Sequence, residues 1–471
     1  MSAFNFKRIA DPVHGTIGVS ELEIAILQTS SFQRLRQVRQ LGLAHLVFPG
    51  ADYSRFSHSV GACHVAGRML DALEANSAVT IDAHEKQLYR LAALLHDVGH
   101  YAFSHAMEEA IANHFSKMLF TGASAPAGTR PLFFKHERAG EEVVKEDPEI
   151  RSALEGGGFD PAKVSHVFMR EDPALRFSSL VSSDLDADRI DYLLRTALHT
   201  GLPYGSADLG YLLTQICFAD DRICFREKAL RTAEHFLLCR YFDYQQITYQ
   251  KTVAGLELVL KDVLTALLEA GGLAFSAADV TGYIRSREWS RFDDTFVTQR
   301  IAELRGDTSD PALKLKCDAI LERRPPKLLG AWEKIDELIK PEHSRLLLKT
   351  ARDKRDQWAD TLGLDPKLIY VWDKPLTALT KIQPYAPIRD TVDGHGTAGD
   401  VEEVRRKFEE EIHILRAPDT PLVPIVALKN SLMSVLSRYT LYAVRVYAVV
   451  PDEMEGRIGE MRALVQKALE H

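Results

Sequence analysis

The segment Leu91-Ala-Ala-Leu-Leu-His-Asp-Val-Gly-His-Tyr-Ala-Phe-Ser-His105 runs an apolar helix directly into a His96-Asp97 pair, with Gly99 expected just past the helix end. A charged carboxylate beside an imidazole in apolar surroundings is costly unless a cation or a hydrogen-bonding partner compensates it. A metal ion satisfies both side chains. Imidazole with carboxylate suits Mn, Fe, Co, Ni or Zn better than an all-oxygen site does. Two adjacent ligands need others from elsewhere, and two candidates stand out. His58 lies in Ser54-Arg-Phe-Ser-His-Ser-Val-Gly61, at the start of an amphipathic helix ending near Leu73. Asp188 lies in Asp184-Leu-Asp-Ala-Asp-Arg-Ile-Asp-Tyr-Leu-Leu-Arg195, where positions 184, 188, 191, 192 and 195 share one polar helical face. Taken singly, each is more often an ordinary core or surface residue than a ligand.

The elements that must position these residues are mainly helical. From about Glu21 to Ala270 apolar residues return every three or four positions, as in Leu88, Leu91, Leu94, Leu95 and Val98. Turns at Phe48-Pro49-Gly50 and Leu202-Pro203-Tyr204-Gly205 separate the helices of a bundle. The small-residue stretch Thr121 to Thr129 reads as a mobile insertion near the site. Beyond residue 270 the character changes to polar, helix-like stretches at Ser276 to Arg305 and Arg345 to Leu362. Short β-like runs at Leu368 to Trp372 and Tyr442 to Val450 flank a second loop, Asp393 to Gly399. The expected architecture is therefore mainly α: a helical catalytic domain over 1–270 and a smaller α+β region over 271–471, serving oligomerisation or regulation.

The order His58, His96-Asp97, Asp188 resembles the HD superfamily of metal-dependent phosphohydrolases. The flanking motifs are more specific than the dipeptide. Asp11-Pro-Val-His-Gly15, Phe32-Gln-Arg-Leu-Arg36, Gln40-Leu-Gly42, Val47-Phe-Pro-Gly50 and Arg55-Phe-Ser-His58 occur in that order. His96-Asp-Val-Gly-His100, Phe103-Ser-His105, His136-Glu137 and Asp186-Ala-Asp-Arg-Ile-Asp-Tyr192 follow. Over roughly residues 5 to 260 these are similar to the dNTP triphosphohydrolases related to the human sterile-alpha-motif and HD-domain protein, without the sterile-alpha-motif.

That resemblance implies one metal held by His58, His96, Asp97 and Asp188 at the α-phosphate, Mg being compatible with the nucleotide, and water attack that releases a nucleoside and tripolyphosphate. It implies His105 as the acid for the departing ribose oxygen, paired with Glu108, where the family has Asp, and with His136. Arg55, Arg189 and His100 would meet the phosphates and Tyr192 would close over sugar and phosphates. Gln40 would probe the 3′-hydroxyl beside Thr196, which replaces the family's Asp and predicts weaker sugar contacts. At the family's activator pocket Gln33 and Arg36 match but Gln28 replaces an Asp, so a different nucleotide activator, or none, is expected. His64, His114 and His199 are expected to play no part. Dimers or tetramers are the family's assemblies. The alternatives are an HD site acting on a monophosphate, a cyclic nucleotide or a ribonucleotide, and a nucleotide-sensing scaffold.

Composition narrows the classes further. The 471 residues are 46% apolar, enough for at least one large core, and carry a formal charge of −8 with Lys and Arg dispersed, which argues against nucleic acid as the main partner. No apolar run of eighteen residues and no secretory signal is visible in the sequence, so a cytoplasmic protein with no membrane partner is expected. Cys63, Cys217, Cys224, Cys239 and Cys317 lack metal or redox spacing and read as reduced core thiols.

Overall fold

The computed structural model describes residues 7–120, 135–205, 207–273, 276–337, 342–376, 411–418 and 420–470. Both loop expectations, 121–129 and 393–399, lie outside the described residues.

The chain opens with a hairpin, β1 (Lys7–Asp11) and β2 (Gly15–Val19), paired antiparallel with Asp11 opposite Gly15. Its turn is the Asp-Pro-Val-His-Gly motif. Asp11 Oδ1 accepts the backbone N–H groups of Val13 and His14, both at 2.9 Å, and Gly15 takes a φ of +73°, which glycine adopts without steric cost.

The bundle follows: α1 (Arg55–Asn76), α2 (Ala83–Leu95), α3 (His105–Phe120), α4 (His136–Glu146) and α5 (Ala187–Thr200). α1 packs against α2 and α5. It starts at Arg55, three residues before His58, which puts Arg55 in its first turn. Asp82 caps α2, and Asp186 caps α5 through the Arg189 N–H; Gly201 at φ +72° ends α5. The two signals at the ends of α5 fix where Asp188 sits along it. α2 stops at Leu95, so Gly99 is not its capping residue, contrary to the sequence expectation. Its use is close approach: a Cβ there would lie 2.0 Å from Gly140 N and 2.3 Å from the His136 carbonyl, so only glycine lets α4 meet the His96-Asp97 turn.

Next come a short hairpin, β3 (Ile216–Ala219) and β4 (Arg222–Arg226), then α6 (Leu230–Asp243), a π-helical turn at Tyr244–Thr248 and α7 (Lys251–Glu269). β5 (Lys327–Glu337), α8 (Glu342–Leu362), β6 (Ile369–Leu376), β7 (His413–Leu415), β8 (Val423–Pro424), β9 (Tyr439–Ala448) and α9 (Ile458–Leu469) complete the C-terminal part. β9 is the central strand between β5 and β6, antiparallel to both, and β3-β4-β7-β8 form a second sheet. The fold is thus mainly α with small sheets in the C-terminal part.

The main core runs through the bundle and also takes in Val280, Trp289, Ile320, Leu368, Ile414 and Val449, on the far side of residue 270. A second, smaller core forms where α8 and α9 cover the three-stranded sheet, around Trp358, Val446 and Met461. All five cysteines are buried and unbridged. Among the described residues no helix is long and apolar enough to cross a membrane.

Candidate metal centre and active site

His58 comes from the first turns of α1, His96 and Asp97 from the turn after α2, and Asp188 from the start of α5. The ligand atoms of His58, His96 and Asp188 all lie within 4.8 Å of one another, with Asp188 Oδ1 3.0 Å from His58 Nε2 and 3.7 Å from His96 Nε2, and donors on one ion with bonds of about 2.1 Å stand at most about 4.2 Å apart. Asp97 borders the same point, Oδ2 at 3.7 Å from His58 Nε2 and Oδ1 at 3.3 Å from His96 Nε2.

The decisive feature lies on the histidines. Both Nε2 atoms are buried and neither makes a hydrogen bond, while both face the Asp188 carboxylate. Both Nδ1 atoms are engaged, His58 with Asp191 Oδ2 at 2.8 Å and His96 with the Ala93 carbonyl at 2.8 Å. An Nδ1–H bonded to an oxygen acceptor leaves the Nε2 lone pair for a metal. Two buried lone pairs converging on two carboxylates fit a divalent transition ion.

Asp191 had no role in the sequence reading, although its helical face was recognised. It is bonded by His14 Nε2 at 2.7 Å, His58 Nδ1 at 2.8 Å, Arg195 Nε at 2.9 Å and Arg195 Nη2 at 2.8 Å. Arg195 Nη1 continues to Asp11 Oδ2 at 2.8 Å, so the hairpin motif braces His58 through α5. Burial disfavours the charged Asp191, but these donors outweigh it and hold its carboxyl well below the usual range. Gly61 makes room: a Cβ there would lie 1.8 Å from Asp191 Oδ1. The signals were present in the sequence as Asp11-Pro-Val-His-Gly15 and the polar stripe of α5.

A cavity of about 560 Å³ opens onto Asp97 and Asp188, and it is also lined by Gln40, Arg55, His100, His105, His136, Arg189 and Tyr192. His105, Glu108 and His136 come together as expected. Glu108 Oε2 lies 3.1 Å from His105 Nδ1, and Glu108 Oε1 lies 2.8 Å from His136 Nδ1. Glu108 Oε1 also accepts the His136 backbone N–H at 3.1 Å, capping the first residue of α4. Burial favours neutral Glu108, yet the hydrogen bonds from His105 and His136 hold it well below the usual carboxylate range. Burial opposes a charged His136, but Glu108 and the nearby Glu137 raise it above its ordinary value. The backbone entering this triad is strained: Phe103 and Ser104 have φ of 56° and 50°, pinned by Asp294 Oδ1 on the Phe103 N–H and by Arg55 Nε on Ser104 Oγ.

The cationic residues divide. Arg55 is buried and gives Nη1 to Asp97 Oδ2 at 2.5 Å, which ties it to a ligand as well as to the cavity. Arg189 has a buried Nη1 without a hydrogen-bond partner. His100 stacks on His136 with ring centroids 3.6 Å apart, and its Nδ1 is also unpartnered. Burial and the adjacent Arg55 charge push His100 well below its ordinary value, so the ring is neutral. Thr196 is not brought to the cavity. It is fully buried with Oγ1 2.6 Å from Tyr53 OH and does not line the cavity, although Asp188 and Tyr192 on the same helix do. Gln28 and Arg36 are exposed, and Arg36 lies over the Phe56 ring at 3.6 Å, outside the cavity lining. His64 packs on His14 and His199 on Tyr53, neither lining the cavity. Further cavity residues not read from the sequence are Arg240, Asp243, Tyr244, Lys261 and Trp372.

Residues 55–156 match the HD domain family. The matched stretch contains His58, His96, Asp97 and the His105–Glu108–His136 triad, while Asp188 lies beyond it. The chain is 32% identical over 282 residues to the uncharacterized protein YwfO of Bacillus subtilis, covering 59% of this chain and 60% of that protein. It is 27% identical over 269 residues to the deoxynucleoside triphosphate triphosphohydrolase SAMHD1 homolog of Dictyostelium discoideum, covering 55% and 49%. It is 31% identical over 254 residues to the human deoxynucleoside triphosphate triphosphohydrolase SAMHD1, covering 47% and 38%. The chain thus spans 60% or less of the length of these relatives. A crystal structure of a phosphohydrolase from Bacteroides thetaiotaomicron superposes with a TM-score of 0.65 at 22% identity, over 93% of this chain and 99% of that one. A hypothetical protein from Aquifex aeolicus superposes with a TM-score of 0.68 at 23% identity, over 98% and 100%. Both share the fold of this chain.

Proposed function

We propose that this HD-domain protein hydrolyses deoxynucleoside triphosphates to deoxynucleoside and tripolyphosphate, with a divalent transition metal held by His58, His96, Asp97 and Asp188. The observation that carries it is the pair of buried Nε2 atoms without hydrogen bonds, converging on two carboxylates beside a cavity lined by Arg189, whose Nη1 is ion-paired with Asp184 and Asp186 but makes no hydrogen bond. Bound there, the ion would supply Lewis-acid activation of a phosphate oxygen.

The chain's own residues supply the rest. Arg189, whose Nη1 makes no hydrogen bond within the chain, donates to phosphate oxygens, and neutral His100, with Nε2 3.2 Å from Asp97 Oδ1, holds that carboxylate from the cavity side. Water adds to the α-phosphorus and the bond to the ribose 5′-oxygen breaks, its electron pair staying on that oxygen. His105 at the cavity edge delivers the proton. Glu108, bonded to both His105 and His136, orients the acid. Arg55 holds Asp97 and Ser104, coupling the metal centre to the turn that presents His105. Tyr192 forms one wall against sugar and phosphates, and Mg accompanies the nucleotide.

Purified protein with Mn²⁺ and each dNTP, its products separated by ion-exchange chromatography, tests the reaction: tripolyphosphate and nucleoside are expected, and monophosphate with pyrophosphate would overturn it. A second reading, another nucleotide as substrate, rests on Thr196 being withdrawn from the cavity, and rNTPs, monophosphates and cyclic nucleotides in the same assay distinguish it. The proposal includes a cytoplasmic homo-oligomer, dimer or tetramer, with residues 271–471 contributing to assembly or regulation and a nucleotide activator; sedimentation with and without dNTPs tests the assembly.

A further inference from the structure

The cavity holds hydrogen-bonding groups that the phosphate chemistry does not use. Gln40 Oε1 is buried and accepts nothing. Asp243, the last residue of α6, is 4% exposed and borders the same cavity together with Tyr192, Tyr244 and Gln40. Its Oδ1 accepts from Tyr204 OH at 2.6 Å. The π-helical turn at Tyr244–Thr248 directly after it adds Tyr244, Ile247 and Thr248 to the cavity wall; such turns recur at functional sites because the extra residue re-aims side chains.

Asp243 also sits where Thr196 does not serve. The Thr196 hydroxyl is spent on Tyr53 OH and does not line the cavity, whereas Asp243 does. Burial pushes the Asp243 carboxyl up to about 7, offset in part by Tyr204 and Arg240, so a ligand hydroxyl donating to it would favour its ionised form. Two inward acceptors, an amide oxygen and a carboxylate, call for a ligand that brings O–H donors. In a nucleotide whose phosphates lie at Arg189, those donors are the sugar hydroxyls.

We propose that Asp243, together with Gln40, reads the 3′-hydroxyl of the nucleotide sugar, so that the carboxylate missing at Thr196 on α5 is supplied from α6. This rests on the proposed dNTP hydrolysis and goes beyond it by naming the residue that sets sugar selectivity.

The test compares dNTP with the matching 2′,3′-dideoxynucleoside triphosphate, which differs only in that hydroxyl. A hydrogen bond to a charged acceptor predicts that the wild type favours the dNTP by roughly ten- to a hundredfold in kcat/KM. Asp243→Asn should lower kcat/KM for the dNTP, mainly through KM, far more than for the dideoxy compound, so that the ratio collapses. An unchanged ratio in Asp243→Asn overturns the inference while leaving the hydrolase reading intact; no turnover of any dNTP by the wild type overturns both. Should Asp243→Asn fail to fold, Asp243→Glu keeps the buried charge but moves the acceptor by one methylene. Calorimetric binding of dNTP and dideoxy analogue to metal-free Asp243→Glu should then show a smaller ratio than the wild type, and an equal ratio overturns the inference.

Discussion

Replacing Asp191 by Asn removes one buried charge while keeping the side chain's shape. The carboxylate is fully buried and takes four hydrogen bonds, from His14, His58 and twice from Arg195. An amide has one acceptor oxygen, and its NH₂ would face donors. Arg195, itself fully buried, would keep only Asp11 at 2.8 Å. Breaking a buried pair costs about 3–5 kcal/mol, and because Asp11 remains the expectation is about 3 kcal/mol. That is a large share of a typical stability of roughly 5–15 kcal/mol. The second consequence is functional: His58 loses the acceptor that fixes its Nδ1–H tautomer, and loss of such a partner lowers metal affinity roughly ten- to a hundredfold. Urea unfolding of the metal-free protein followed by circular dichroism reads the first, and competition against a metallochromic chelator reads the second. A variant that loses stability but binds Mn²⁺ as tightly as the wild type would refute the bracing role. One that loses neither would refute the whole network.

Other expectations follow from the same geometry. Burial works against a charged His58, but Asp188 and Asp191 raise it to about 10 in the metal-free protein, so metal must displace a proton. Apparent affinity should therefore rise with pH up to about 10, with proton release visible as a buffer-dependent calorimetric enthalpy; pH-independent binding contradicts it. Asp191, Glu108 and Glu23 are all held below their ordinary values. Their stabilisation is complete above the unfolded carboxylate pKa of about 4 and is lost as pH falls below it, so the metal-free protein should destabilise steeply there by thermal melting. Glu108→Gln should cut kcat by roughly 10²- to 10⁴-fold with metal content unchanged by elemental analysis. Gly99→Ala should lower both stability, by about 1–3 kcal/mol, and turnover, since its Cβ would meet Gly140 N at 2.0 Å and push α4 with His136 away; unaltered turnover would count against that packing.

Residue types and periodicity already determined much of this protein. The apolar run into His96-Asp97 became a buried helix that ends just before that pair, and the alternating runs near 368 and 445 became β6 and β9. Those readings succeed because burial and local periodicity are properties of neighbours in the chain. β5 and the hairpins went unread, since a strand's partner is chosen by distant residues, as when Leu328 meets Tyr447. The tertiary structure alone decided that His14 and Asp11 brace His58 through Asp191 and Arg195 across more than a hundred positions. It also decided that Gly99 serves helix contact instead of a cap, that Thr196 turns to Tyr53, and that Asp243 stands at the cavity. Each depends on which face of one helix meets another, and a buried charge finds its partner by proximity in space, which spacing along a chain does not encode.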